Sequence, residues 1–258
     1  MILFIDTHTH LHFKEFDEDR DAVISRAQKA GVSQIITLGT GLSSSRQTLK
    51  IANTYPFIYA AAGIHPSEAH QVSPGDDEAI ADIARQEEKI VAIGEIGLDF
   101  YWDKTYYREQ YDVFLTMLRI AQDMALPVVI HNRSAQREMQ WFFQEEGITE
   151  LSGVMHCFAG DIIDVRFYLD MGLHISFTAD ITHKNFSRTD VVKFVPLDRL
   201  LLETDSPFIV PAKFSGKRNE PANVLYVAEK LAEIRGMSVE EIARITTGNA
   251  RRLFKLPE

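Results

Sequence analysis

The sequence predicts an α/β protein: a single-domain (β/α)8 TIM barrel with further helices at its carboxyl end. Three observations carry that expectation. Eight short apolar runs recur along the 258 residues at intervals suited to βα units. Helical patterns separate the runs, which calls for parallel strands covered on both faces. Five of the runs close on residue types that bind metal ions, and a closed sheet gathers those ends without a wide span. A doubly wound open sheet is the structural competitor.

The first run is centred on Phe4 and ends in Asp6-Thr7-His8-Thr9-His10. A helix is expected over 17–30, where carboxylates suit the positive end of the dipole, Val23, Ala27 and Ala30 share a face, and Gly31 terminates it. Strands centred on Ile36 and Tyr59 are followed by helices over 43–53 and 76–86, the second after Gly63-Ile64-His65-Pro66. The fourth strand, Ile90-Val91-Ala92-Ile93-Gly94-Glu95, precedes a helix over 106–124, and the fifth, ending at His131, one over 135–145. Gly153-Val154-Met155-His156 makes the sixth strand, before a helix over 162–171. The seventh is centred on Ile175, with a helix over 185–192, and the eighth runs from Leu200 to Asp205. Residues 206–221 are irregular, rich in proline, and in a barrel lie over the catalytic face. Helices over 221–235 and 238–250 complete one domain spanning residues 1–258, with no linker, repeat or low-complexity segment.

Lys and Arg number 27 against 37 Asp and Glu, a net charge of −10. That balance argues against a broad basic surface gripping duplex nucleic acid through many phosphates. A short or flexible anionic substrate stays open, because bound divalent ions supply local positive charge. Cys157 is the only cysteine, which excludes an internal disulfide framework and a cysteine-based zinc cluster and fits a reducing setting. No run approaches the roughly 18 consecutive apolar residues of a membrane span, and Asp6 interrupts the first run well short of a signal-peptide core. A soluble, cytoplasmic protein is expected.

His8, His10, Glu95, His131, His156 and Asp205 are the candidate metal ligands. A strand points alternate side chains the same way, so His8 and His10 can hold one ion together. Glu95 can place one oxygen on each of two ions, and His131 and His156 can complete the second shell. Asp205 can ligate the first ion and accept a proton from the attacking water. This mixed imidazole and carboxylate set suits two divalent ions, Zn, Mn or, less naturally, Mg. Glu203 shares a face with Asp205 and either orients water or a ligand, or offsets the ions' charge; it joins Asp205 as a candidate catalytic residue. His65 is a candidate contact for a substrate phosphate or leaving group, or a structural rim histidine. Arg133 has the same choice between an anion contact and a rim salt bridge, and Lys213, Lys217 and Arg218 make a local positive run on the crowning loop. Asp99 is placed to fix a neighbouring histidine or arginine. Tyr101 and Trp102 either stack on a base or pack at the rim. Cys157 reads as packing, and His12, His70, His174 and His183 as surface or structural.

The motifs together resemble the TatD family of metal-dependent deoxyribonucleases, within the wider amidohydrolase-like barrels. The resemblance runs through Asp6-Thr7-His8-Thr9-His10, Gly63-Ile64-His65-Pro66, Gly94-Glu95-Ile96-Gly97-Leu98-Asp99, His131-Asn132-Arg133, His156-Cys157-Phe158-Ala159-Gly160, Glu203-Thr204-Asp205-Ser206-Pro207, Arg218-Asn219-Glu220-Pro221 and the stretch from Gly248 to Phe254. It implies one divalent ion on His8, His10, Glu95 and Asp205 and another on Glu95, His131 and His156. It also implies exonucleolytic cleavage of DNA from 3′ ends of single strands, with RNA a substrate in some members. His65, Arg133 and Arg218 are then the residues expected to engage phosphate. Two rivals stand beside this reading. One is hydrolysis of a C–N, lactone or ester bond by the same ions, including D-aminoacyl-tRNA, although Glu95 replaces the carbamylated lysine common in other amidohydrolases. The other is a non-catalytic barrel that keeps metal for stability.

Overall fold

The eight apolar runs form eight parallel strands, ordered in space as in sequence: β1 (Phe4–Thr9), β2 (Val32–Leu38), β3 (Ile58–Ala62), β4 (Ile90–Asp99), β5 (Val128–Arg133), β6 (Gly153–Met155), β7 (His174–Phe177) and β8 (Leu200–Leu202). They come from a computed structural model that describes residues 2–102 and 104–258. Helices α1 (Arg20–Lys29), α2 (Leu42–Thr54), α3 (Asp76–Gln86), α4 (Tyr107–Met124), α5 (Gln136–Glu145), α6 (Ile162–Asp170), α7 (Thr189–Phe194) and α8 (Val224–Arg235) alternate with the strands, and α9 (Val239–Phe254) packs on β1 and β8. This is the (β/α)8 barrel the alternation predicts.

Closure is made by the chain just past β8. Asp205 N–H donates to the His8 carbonyl and His10 N–H to the Ser206 carbonyl, both at 2.8 Å. One step earlier the buried Asp6 carboxyl stands in for a strand carbonyl, accepting from Thr204 N–H at 2.9 Å and Thr204 Oγ1 at 2.6 Å. The seam that closes the barrel therefore also joins the two segments carrying His8 and Asp205.

Residues on opposite strands, Ile5, Ile36, Ala61, Val129, Val154 and Leu201, form one buried cluster with Leu253 and Phe254 of α9. Only a filled barrel interior, plugged by α9, lets these side chains meet. The larger cluster lies between strands and helices, where Phe114, Phe142, Phe143 and Tyr168 are buried.

Three helices start three or four residues later than their sequence patterns suggest; the one expected from 221 is preceded by a 3-10 turn (Pro221–Asn223), so that α8 begins at Val224. A 3-10 turn (Lys14–Phe16) precedes α1, and the Asp17 and Asp19 side chains, expected at a helix start, accept instead from Arg20 and from Arg26 and Arg218. Before α7, a 3-10 turn (Ala179–Thr182) and the Arg188–Asp180 ion pair at 3.1 Å hold the chain out of helical geometry until Thr189. The last helix begins as expected, because Ser238 caps it and Glu241 completes the capping box. It runs past residue 250 to Phe254 because Leu253 and Phe254 are needed in the barrel plug.

Candidate metal centre

Five strand segments deliver the six expected ligands to one end of the barrel. His8 lies in β1 with His10 just past it, His131 is in β5, His156 follows β6 directly, and Asp205 lies three residues past β8. Glu95 departs from the expectation that it closes its strand, since β4 continues to Asp99. Both β1 and β4 carry an extra residue beside their ligands. Asp6 to Thr9 spans three steps against two on β2, and Ile93 to Ile96 three against two on β5. Such bulges re-aim side chains, and they recur near active sites. The bulge in β4 needs small residues: a Cβ on Gly94 would lie 2.7 Å from Val129 Cβ, and one on Gly97, at φ +140°, only 2.0 Å from the His131 carbonyl oxygen.

The donor atoms fall into two sets that share Glu95. In the first, His8 Nε2 and His10 Nε2 are 3.1 Å apart. Each lies 3.4 Å from Glu95 Oε2, and they lie 3.6 and 3.5 Å from Asp205 Oδ1. Four ligands placed tetrahedrally about 2.1 Å from a zinc-like ion would be separated by about 3.4 Å, so these spacings match one coordination shell. In the second set Glu95 Oε1 lies 2.8 Å from His131 Nδ1 and 2.9 Å from His156 Nε2, and the two nitrogens are 3.2 Å apart. The His8 and His156 rings stack at 4.0 Å between the sets.

The groups behind these donors fix which ring nitrogen is free. His10 Nδ1 faces the Leu38 carbonyl at 3.2 Å, which can only accept, so the proton sits on Nδ1 and the Nε2 lone pair faces the cluster. His131 Nε2 is held by Asp99 Oδ2 at 3.1 Å, leaving Nδ1 for the cluster. His156 Nδ1 lies 3.4 Å from Glu203 Oε1, an oxygen that also accepts from Cys157 N–H at 2.7 Å.

His65 differs. It lies 3.6 Å from Glu95 Oε1 through Nε2, close enough to count geometrically with Glu95 and His131. Its Nδ1, however, accepts from Ser67 N–H at 3.1 Å, so the neutral ring carries its proton on Nε2 and meets the cluster as a donor. Burial and then the neighbouring His131 charge push its pKa down to about 3, which keeps the ring neutral.

The charge balance of the cluster follows from burial and from the groups around each carboxyl. Glu95, Glu203 and Asp6 are buried. Burial alone opposes ionisation of Glu95, yet the positive charge of His156 and the bond from His10 hold its carboxyl well below the usual range. Asp205 is likewise held low, burial being outweighed by His10 and the charges around it. Burial also opposes protonation of His10, but its bonds to Asp205 and Glu95 raise it to about 9; His156 is raised well above its ordinary value by Glu95 and Glu203. Protons on His10 and His156 compensate Glu95 and Asp205, whereas Asp6, pushed up to about 8 by burial, keeps its own proton at neutral pH. Divalent cations fit the same donors and charge, and displace the imidazole protons.

The remaining expected residues are placed as follows. The Arg133 guanidinium lies 4.0 Å over the Tyr101 ring and 5.4 Å from that of Trp102, with no carboxylate partner among the described residues. The Arg218 fork is held by both Asp19 oxygens at 2.8 and 2.9 Å and also donates to the Glu15 carbonyl. Its ion pair is with Asp19 rather than with Glu95 or Asp205, and it ties the crowning loop to the segment before α1. Lys213 Nζ sits 3.4 Å over the Tyr226 ring and Lys217 5.7 Å from that of Phe214. Burial, then Asp180, Asp205 and Glu203, push the Cys157 thiol up, so it stays protonated. His70 stacks on Tyr106 at 4.5 Å and His183 Nε2 donates to the Val210 carbonyl at 3.0 Å. His12 and His174 are buried.

Three features were not singled out from sequence. Asp6 holds the barrel seam, and an acid inside an apolar run was its signal. Asp205 and Cys157 take left-handed backbone, φ +54° and +44°, where non-glycine residues are strained. A groove of about 900 Å³, lined by His12, Phe13, Gln47, Lys50 and Phe208 among others, adjoins the first donor set, because Phe13 stacks on His10 at 4.9 Å.

A parallel barrel with a dense imidazole and carboxylate cluster at the carboxyl ends of its strands defines a metal-dependent hydrolase. The model of the TatD related DNase family matches residues 5–255, and the chain belongs to the TatD family. It is 42% identical over 98% of its length, and 100% of the relative's, to "Uncharacterized metal-dependent hydrolase YabD" of Bacillus subtilis. It is 35% identical to "3′-5′ ssDNA/RNA exonuclease TatD" of Salmonella typhimurium, covering 97% of this chain and 98% of that one. The crystal structure of the TatD homologue YJJV from Escherichia coli superposes with a TM-score of 0.93 at 33% identity, over 100% of both chains.

Proposed function

We propose that the chain is a two-metal phosphodiesterase, a deoxyribonuclease that shortens single-stranded DNA, and RNA, from the 3′ end. The observation that carries this reading is the division of Glu95, one oxygen facing His8 and His10 and the other His131 and His156. Ions held by His8, His10, Glu95 and Asp205, and by Glu95, His131 and His156, would lower the pKa of water and stabilise the entering and leaving oxygens of an in-line displacement.

The chain's own groups supply the rest. Asp205, kept ionised, takes the proton of the attacking water. His65, neutral with its proton on Nε2, donates to a phosphate oxygen or to the leaving group. Arg133, free of carboxylates among the described residues, meets the phosphate. Glu203 acts through His156 and the Cys157 backbone as a positioning residue rather than on the substrate. Arg218 contributes by holding the crowning loop to Asp19. The net charge of −10 favours a strand end entering the site over extended duplex contact. The exonuclease name of the Salmonella relative supports the choice of bond and polarity.

The test digests a 5′-labelled single strand with metal-stripped protein restored by Zn, Mn or Mg. A descending ladder of labelled products is expected. Immediate release of the labelled nucleotide would reverse the polarity, and an untouched strand alongside hydrolysis of D-aminoacyl-tRNA or a cyclic amide would replace the nuclease reading.

A further inference from the structure

We propose that Trp102, with Tyr101 and Arg133, forms a stacking platform for an unpaired base beside the metal centre. The inference rests on the nuclease reading and adds the path of the strand, over the ends of β4 and β5.

Trp102 is 75% exposed and Tyr101 56%, an unusual display for adjacent large aromatics. They follow β4 at the end of the barrel where the donor set lies. Their rings meet edge to face at 4.8 Å, so each presents a separate face. Arg133 covers Tyr101 at 4.0 Å and lies farther, 5.4 Å, from Trp102.

The platform is tied to the metal centre through one carboxylate. Asp99 Oδ1 accepts from Tyr101 N–H at 2.9 Å while Asp99 Oδ2 holds His131 at 3.1 Å. Arg133 stands two residues beyond His131 on β5, opposite Asp99 in the ladder, and its carbonyl accepts from Phe100 N–H at 2.9 Å. The aromatic faces, the guanidinium and a ligand histidine are thus fixed to one frame.

An exposed indole beside a guanidinium held on an aromatic ring matches how single strands are bound: the base stacks and the cation meets the phosphate. Every base has a π face, so this recognition tolerates sequence but requires an unpaired base. In a protein of net charge −10, Arg133 supplies positive charge where the strand needs it.

The experiment uses full-length, metal-loaded protein and a phosphorothioate oligothymidylate that resists cleavage. Trp102 and Trp141 are the two tryptophans, so Trp141→Phe leaves Trp102 as the reporter. Saturable quenching of its fluorescence by the single strand is expected, with none from a duplex of the same length. Trp102→Ala should raise Kd roughly 5- to 150-fold, one stacked base's worth, and Trp102→Phe should restore most of the affinity. An unquenched Trp102 and an unchanged Kd in a protein that still binds and cleaves single strands would overturn the platform and leave the nuclease reading standing. A protein that neither binds nor cleaves any strand would remove both.

Discussion

Asp99 Oδ2 lies 3.1 Å from His131 Nε2, on the side of the ring away from Glu95, and so sets which nitrogen His131 turns to the centre. Carboxylates in this position typically contribute a factor of roughly 10 to 100 in metal affinity. Asp99→Ala is therefore expected to weaken one of the two ions by about that factor and leave the other nearly unchanged. Chelator competition, followed by metal analysis, measures it. Equal loss of both ions would show that Asp99 does not act through His131.

Metal loading should expel protons. His10, raised to about 9, and His156, raised well above its ordinary value, are protonated at neutral pH in the metal-free protein. Roughly one to three protons should leave at pH 7 as the ions enter. Because the raised values lie above 7, affinity is expected to climb as pH rises towards 9 and to fall on acidification. Calorimetry in buffers of different ionisation enthalpy counts the protons; none released would contradict the charge pattern.

His174 predicts a stability change unrelated to metal. Burial, then the Arg199 charge, push its pKa down to about 4, so the folded protein holds it neutral. The unfolded chain takes the proton first, near pH 6.5. Stability from this residue is complete above that pH and is lost as pH falls towards 4, by about 3 kcal/mol. Urea unfolding in chelator should show the gap between wild type and His174→Gln shifting against wild type by about 2 kcal/mol from pH 7 to pH 4.5. A constant gap would contradict it.

Much of this was legible in sequence because apolar runs and their polar ends are local signals. Phe4, Ile36 and Leu201 mark strands by their neighbours alone, and His8 with His10 shares a face whatever the rest of the chain does. The bulges beside His8 and at Glu95 were not legible, since a register shift depends on the adjacent strand. Nor was the neutralisation of Arg218, whose partner Asp19 lies 199 residues away. The His65 role narrowed for a local reason: Ser67 N–H, two residues on, determines its tautomer.

The most direct test of the central claim is anomalous diffraction from crystals soaked in Mn or Zn. Two peaks about 3.5 to 4 Å apart, one beside His8, His10 and Asp205 and the other beside His131 and His156, with Glu95 between them, are the predicted result. A single peak, or ions bound away from Glu95, would contradict it.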